Sequence, residues 1–216
     1  VNKILGFLTL SLFLFSSCFE IVEEVDLKSN GSGHLTYTLN LSQSKERLHT
    51  IMALDSISGM NVPSKQKIEG KIQAAMTVIS GLHGISNPLI KKDYENFIFV
   101  AELDFESMEK LNAAVAKLHE ELSPFGLAFK NVFVSTPEDL TRNIDVHTLN
   151  FLRFLEQKNR NILQNAQYTV IYRLEKPIRE IEGKGIKSKN GRAAKFGHNL
   201  HEIAIGKDPM IHRLKF

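Results

Sequence analysis

The chain has 216 residues, with 27 Lys and Arg against 24 Asp and Glu and a formal net charge of +3 at pH 7. That length can bury a substantial core, and a balance this near neutral excludes a polyelectrolyte chain. A single cysteine excludes an internal disulfide framework.

Val1-Asn2-Lys3 gives a short positive start, Ile4 to Phe15 is an almost unbroken apolar run, and Ser16-Ser17 are small residues before Cys18. This is the order of a secretory signal peptide. A membrane-spanning helix needs about 20 apolar residues; this run is shorter and gives way to Glu20, Glu23 and Glu24. Phe15-Ser16-Ser17-Cys18 resembles the lipobox of bacterial lipoprotein precursors, with Phe15 where that family most often carries Leu. The resemblance implies a signal peptide over 1–17, diacylglycerol thioether-linked to Cys18, and a lipid-anchored domain over 18–216. It also implies a place in the cell envelope, facing the periplasm or the cell surface. A thiol that carries lipid needs no disulfide partner, which suits the lone cysteine. The plainer reading is an ordinary secreted protein with an incidental cysteine.

After Cys18, Phe19, Ile21, Val25 and Leu27 alternate with polar residues, and Glu23 breaks the pattern on the apolar side. Leu35, Tyr37, Leu39 and Leu41 alternate without fault against His34, Thr36, Thr38 and Asn40. Two such runs around Ser29-Asn30-Gly31-Ser32-Gly33 predict a β-hairpin with the leucine and tyrosine side inward and Thr36 and Thr38 outward. Ser42 or Ser44 caps a helix carrying Leu48, Ile51 and Met52 that ends near Ser58-Gly59. A second helix follows Pro63-Ser64, with Ile68, Ile72, Ala75, Met76 and Ile79 on one stripe, until Gly81 and Gly84.

Phe97 to Leu103 reads as a central strand, and Asp104 or Ser107 caps a helix whose stripe is Met108, Leu111, Val115, Leu118 and Leu122, closed by Pro124 and Gly126. Phe129 to Val134 reads as a short strand, and Thr136-Pro137-Glu138-Asp139 as a helix start with Pro at the first helical position. Leu149, Leu152, Leu155 and Ile162 continue an amphipathic stretch. From Gln167 the period returns to two, with Tyr168, Val170, Tyr172 and Leu174 on one face, and residues 178 to 205, rich in Gly and Lys, suit exposed antiparallel strands. With no regular βαβ alternation, no repeat and no linker, the order predicts a single α+β domain: a largely antiparallel sheet with amphipathic helices packed on it.

The hairpin around Asn30-Gly31-Ser32-Gly33, the segment Phe99 to Leu111 and the Lys- and Gly-rich terminal strands are similar to lipoproteins of the LppM-like kind. That resemblance implies location and fold, and it brings no catalytic residue.

No motif for chemistry stands out. Asp26, Asn30 and Gly31 hint at a calcium loop, but Lys28 and Tyr37 occupy positions where oxygen ligands belong, so a hairpin turn explains them. His198 and His201, three apart on a predicted strand, point to opposite faces and cannot hold one ion together, so no metal site and no cofactor is expected. Glu120-Glu121 beside His119 fit the solvated side of their helix. Met52, Met76 and Met108 could line an adaptable groove, though thioethers more commonly fill core gaps.

Charge is uneven: residues 171–216 hold 11 Lys and Arg against 5 acids, whereas 18–170 hold 15 against 19. Lys184, Lys187, Lys189, Arg192 and Lys195 are therefore candidates for a membrane or partner contact, against the plain reading of a solvated sheet face. Export argues against nucleic acid. The expectation is a non-enzymatic binding or structural module of the envelope, with an envelope protein, lipid or polymer as partner. The alternative is an envelope hydrolase whose active site assembles from residues distant in sequence.

Overall fold

The computed structural model describes residues 19–57, 60–122, 132–143, 146–158 and 163–216. The signal segment, Cys18, Pro124, Gly126 and Ile162 lie outside the described residues. The fold is α+β, as expected.

A seven-stranded sheet carries the molecule, in the order β11-β12-β9-β1-β2-β6-β5. Its strands are β1 (Glu20–Leu27), β2 (Gly33–Asn40), β5 (Ile85–Asp93), β6 (Ile98–Phe105), β9 (Gln167–Leu174), β11 (Gly185–Lys187) and β12 (Ala193–Asn199). All neighbours are antiparallel except β1 and β9, which run parallel with Glu20 opposite Gln167. A second, antiparallel sheet has the order β10-β13-β8-β7, built from β7 (Phe133–Ser135), β8 (Asp139–Arg142), β10 (Glu180–Glu182) and β13 (His212–Lys215). Strands β3 (Ser56–Ile57) and β4 (Met60–Asn61) form a separate pair. The helices are α1 (Lys45–Met52), α2 (Lys65–Ser80), α3 (Met108–Leu122), α4 (Val146–Lys158) and α5 (Leu200–Ala204).

Period-two alternation puts Val25, Leu27, Val170, Tyr172, Leu174, Ala194 and Phe196 on one face of the large sheet. That face shares one buried core with Phe133, Leu140 and Leu214 of the second sheet and with Leu111, Leu152 and Ile203 of the helices. The opposite face mixes polar and apolar side chains, as one side of an antiparallel sheet can. Cross-strand ion pairs line it, among them Lys91–Glu102, Arg173–Asp26 and Arg173–Glu24.

The hairpin turn forms where expected: Asn30 Oδ1 accepts from Ser32 N (3.0 Å), and Gly31 takes the left-handed φ of 86°. Leu35 and Tyr37 pack on the core, and every residue from His34 to Asn40 is half-buried. Helices α2 and α3 also follow the sequence. Ser64 Oγ accepts from Lys67 N, Ser107 Oγ accepts from Lys110 N, and Ala75, Ile79, Met108 and Leu111 are buried. Met108 is thus a core residue, while Met52 and Met76 are half-buried.

Three expectations are corrected. Helix α1 stops at Met52 rather than near Ser58, because a tight closing turn from Leu54 N to Ile51 O ends it and β3 follows. Strand β5 carries a bulge at Asn87-Pro88, between Ser86 and Leu89, and pairs along β6. Thr136-Pro137 begins no helix. Thr136 Oγ1 does accept from Glu138 N and Asp139 N as a cap would, but Thr136 N bonds Asp139 O and the chain continues into β8. The end of 178–205 is likewise not a strand, since Asn199 Oδ1 caps the buried helix α5.

Candidate functional site

Between the sheets lies a cluster of buried polar groups that starts from the one break in the β1 pattern. Glu23 faces inward between Ile21 and Val25 and is 5% exposed. Opposite it, Arg142 on β8 is 6% exposed. Arg142 Nε and Nη2 donate to Glu23 Oε1 and Oε2, both at 2.8 Å, a bidentate pair joining the sheets. Tyr168 on β9 donates its hydroxyl proton to Glu23 Oε2 at 2.5 Å, and its hydroxyl oxygen accepts from Arg142 Nη2 at 3.0 Å. The guanidinium lies over the Tyr168 ring, 5.3 Å from its centroid.

Burial opposes the Arg142 charge, yet the attraction of Glu23 and its bonds outweigh that cost and hold Arg142 protonated well above the ordinary range. Burial first, then the negative charge of Glu23, pushes the Tyr168 and Tyr172 hydroxyls well above their usual range. Tyr37, whose ring meets Tyr168 edge-on at 6.5 Å, is raised for the same two reasons.

Beside Arg142 in the second sheet stands its cross-strand neighbour His212, 1% exposed. Burial first, then the Arg142 charge and His198, push His212 down to about 2, so the ring is neutral. Its Nε2 meets His198 Nε2 of β12 at 2.6 Å, and His198 Nδ1 meets Asp208 Oδ2 at 2.7 Å. On the far side, His212 Nδ1 lies 3.4 Å from the Tyr172 hydroxyl. A carboxylate only accepts, so His198 Nδ1 donates to Asp208. With one proton on each ring, the donor direction runs from Tyr172 to His212 to His198 to Asp208. The His212 ring also stacks on Phe196 at 4.0 Å. The result is a closed polar seam in which nearly every group satisfies another; Arg142 Nη1 is the exception, buried without a partner.

Of the sequence-derived candidates, only His198 belongs to this seam among the described residues. His198 is buried in the seam, while His201 sits on α5 with its Nδ1 3.0 Å from Glu156, so the two histidines separate. Asp26 pairs with Arg173 on the sheet face opposite the core, which agrees with the hairpin-turn reading of its segment. The side chains of His119, Glu120 and Glu121 are outside the described residues. Among the described residues, no three His, Cys, Asp or Glu side chains converge as metal ligands.

The five basic candidates do not form one row. Lys195 and Lys187 stand on opposite faces, because Lys195 pairs with Ile186 whereas Lys187 pairs with the inward-facing Ala194. Lys187 Nζ reaches Ile178 O at 3.3 Å. Lys189 and Arg192 flank the β11–β12 turn, at the end of the large sheet where Leu27 and Leu174 finish. Lys184 lies just before β11 and is exposed.

Sequence reasoning registered Glu23 only as an interruption of the pattern. Arg142 and His212 gave no signal, because their strands are four residues each and were not recognised.

No family model matches the chain, and no curated protein matches it. Among solved structures, the NMR structure of the folded domain of the Mycobacterium tuberculosis LppM protein is similar, with 8% identity and a TM-score of 0.42. That similarity covers 91% of this chain and 88% of that one. It transfers no residue role. Among the described residues, no helix is long and apolar enough to cross a membrane.

Proposed function

We propose that this chain is a lipid-anchored module of the bacterial cell envelope, held at Cys18, that acts by binding rather than by catalysis. One observation carries the reading: β1 begins at Glu20, two residues after Cys18, and is hydrogen-bonded on both sides, to β2 and to β9. A lipid on Cys18 would thus join a central strand of the sheet with almost no tether, and fix which end of the domain meets the bilayer.

The seam supports a binding module in a second way. Asp208 orients His198 as a carboxylate orients a catalytic imidazole, which is the feature that favours the hydrolase alternative. Its other nitrogen, however, is taken by His212 in the core, where a nucleophile and substrate would have to sit. The seam accordingly acts as a clamp between the sheets. Lys189 and Arg192, at the end of the sheet remote from Glu20, are placed to meet an acidic envelope partner away from the anchoring bilayer.

Metabolic labelling with a clickable fatty acid tests the anchor. The wild-type chain takes the label and Cys18→Ser does not, because lipid transfer requires the thiol. Equal labelling of the two removes the proposal.

A further inference from the structure

Both ends of helix α4 are tied to the end of the molecule where β1 begins. Strand β8 runs toward that end: Pro137, just before it, shares a cleft with Leu27, whereas Arg142 at its finish is bonded to Glu23. Helix α4 starts soon after, at Val146, and the chain leaving it returns to Gln167, which opens β9 opposite Glu20. Gln167 N donates to Phe19 O at 2.9 Å, and Leu200 N, at the start of α5, donates to Ala166 O at 2.9 Å. Arg153 Nε reaches Ala204 O at 3.4 Å and His201 Nδ1 lies 3.0 Å from Glu156 Oε1, which fastens α4 to α5. Helical spacing then gives α4 two sides. Leu149, Leu152 and Leu155 pack on the core. On the other side Phe151 and Phe154, one turn apart, are 45% and 37% exposed, with Asn150 and Gln157 exposed beside them. Glu156, the one acid of the helix, is turned to α5, so the outer side carries no carboxylate among the described residues. Ile205, where α5 ends, is 44% exposed.

We propose that Phe151 and Phe154 seat in the bilayer, making the outer side of α4 a second membrane contact of the domain. A single exposed apolar side chain needs no explanation, but two aromatic rings on one turn form a patch. The chain itself supplies the occupant. The apolar run from Ile4 to Phe15 and Cys18 both precede Phe19, so either brings a bilayer to the end of the molecule where α4 lies. Helices that lie in the interface hold Phe and Leu about 5–10 Å into the boundary between headgroups and acyl chains, and a side without carboxylates meets lipid phosphates without repulsion. The inference rests on the anchored reading and adds which helix faces the membrane.

The chain holds no tryptophan, so Phe151→Trp, Phe154→Trp and Ile186→Trp each introduce a single emitter. Ile186, 75% exposed on the edge strand β11, is the control. The full chain, purified from bacterial membranes, is reconstituted in phosphatidylcholine vesicles, with and without lipid brominated in the upper part of its acyl chains. Flotation is measured on the same samples. The variants at 151 and 154 are expected to emit at shorter wavelength than the control and to lose most of that emission to the brominated lipid, while the variant at 186 loses little. Flotation with no more quenching at 151 and 154 than at 186 overturns the helix contact and leaves the anchor standing. A shift that follows protein concentration and ignores brominated lipid gives this side of α4 to a second copy of the chain, and overturns the contact as well. A wild-type chain that does not float removes the anchored reading and this inference together.

Discussion

Removing one partner of the Glu23–Arg142 pair leaves the other charge in a dry interior, which costs far more than the pair itself contributes. Glu23→Gln or Arg142→Met is expected to lower stability by about 3–5 kcal/mol in urea unfolding, whereas Glu23→Leu combined with Arg142→Met costs much less. Equal losses in the single and double variants would mean that the pair is not buried together. His212 supplies a pH dependence whose sign is fixed. Its folded value, about 2, lies below the ordinary 6.5, so the unfolded chain binds the proton more readily. Stability present above about pH 6.5 is therefore lost as the pH falls, at a slope approaching 1.4 kcal/mol per unit. His212→Gln, which has no titrating group, should flatten the thermal-melt profile between pH 6 and pH 4 relative to wild type. At this scale the sequence was partly legible. Glu23 was visible as a fault in an otherwise apolar face, but a pattern of period two cannot say which distant cation answers it. Arg142 and the stretch that holds Asp208 and His212 are far apart in sequence, and only the fold brings them together.

Local patterns read well where a single period ran long enough, as in β1, α2 and α3. They failed where a turn signature was absorbed by pairing. Thr136-Pro137-Glu138-Asp139 makes the bonds of a cap and still enters a strand, because β13 arrives from 74 residues away to pair with β8. The element most sensitive to a small change is the hairpin. A Cβ on Gly33 would run into Asp26 O of the neighbouring strand, and the Phe105 ring lies 2.5 Å from it. Gly33→Ala should cost about 1–3 kcal/mol as overpacking does. Gly191→Ala is the control for conformation alone, since it has a positive φ and nothing within 4 Å. A loss at Gly33 no larger than that at Gly191 would show that the hairpin has room to relax.

The whole molecule is arranged along β1. Glu20 sits at one end, and Leu27 with the Lys28 turn at the other, roughly 23 Å away at 3.3 Å per residue. In proteoliposomes, a fluorophore at position 190 should accordingly be less quenched by headgroup-linked nitroxides than one at position 164, whose backbone carbonyl binds Asn199 beside the start of β1. Equal quenching would mean that the domain lies flat on the bilayer. That arrangement rests on the anchor, and the anchor is tested most directly by intact-mass spectrometry of the chain purified from bacterial membranes. The account predicts a protein that begins at Cys18 and carries the added mass of diacylglycerol on that residue. A chain that begins elsewhere, or one that begins at Cys18 with no added mass, would contradict it.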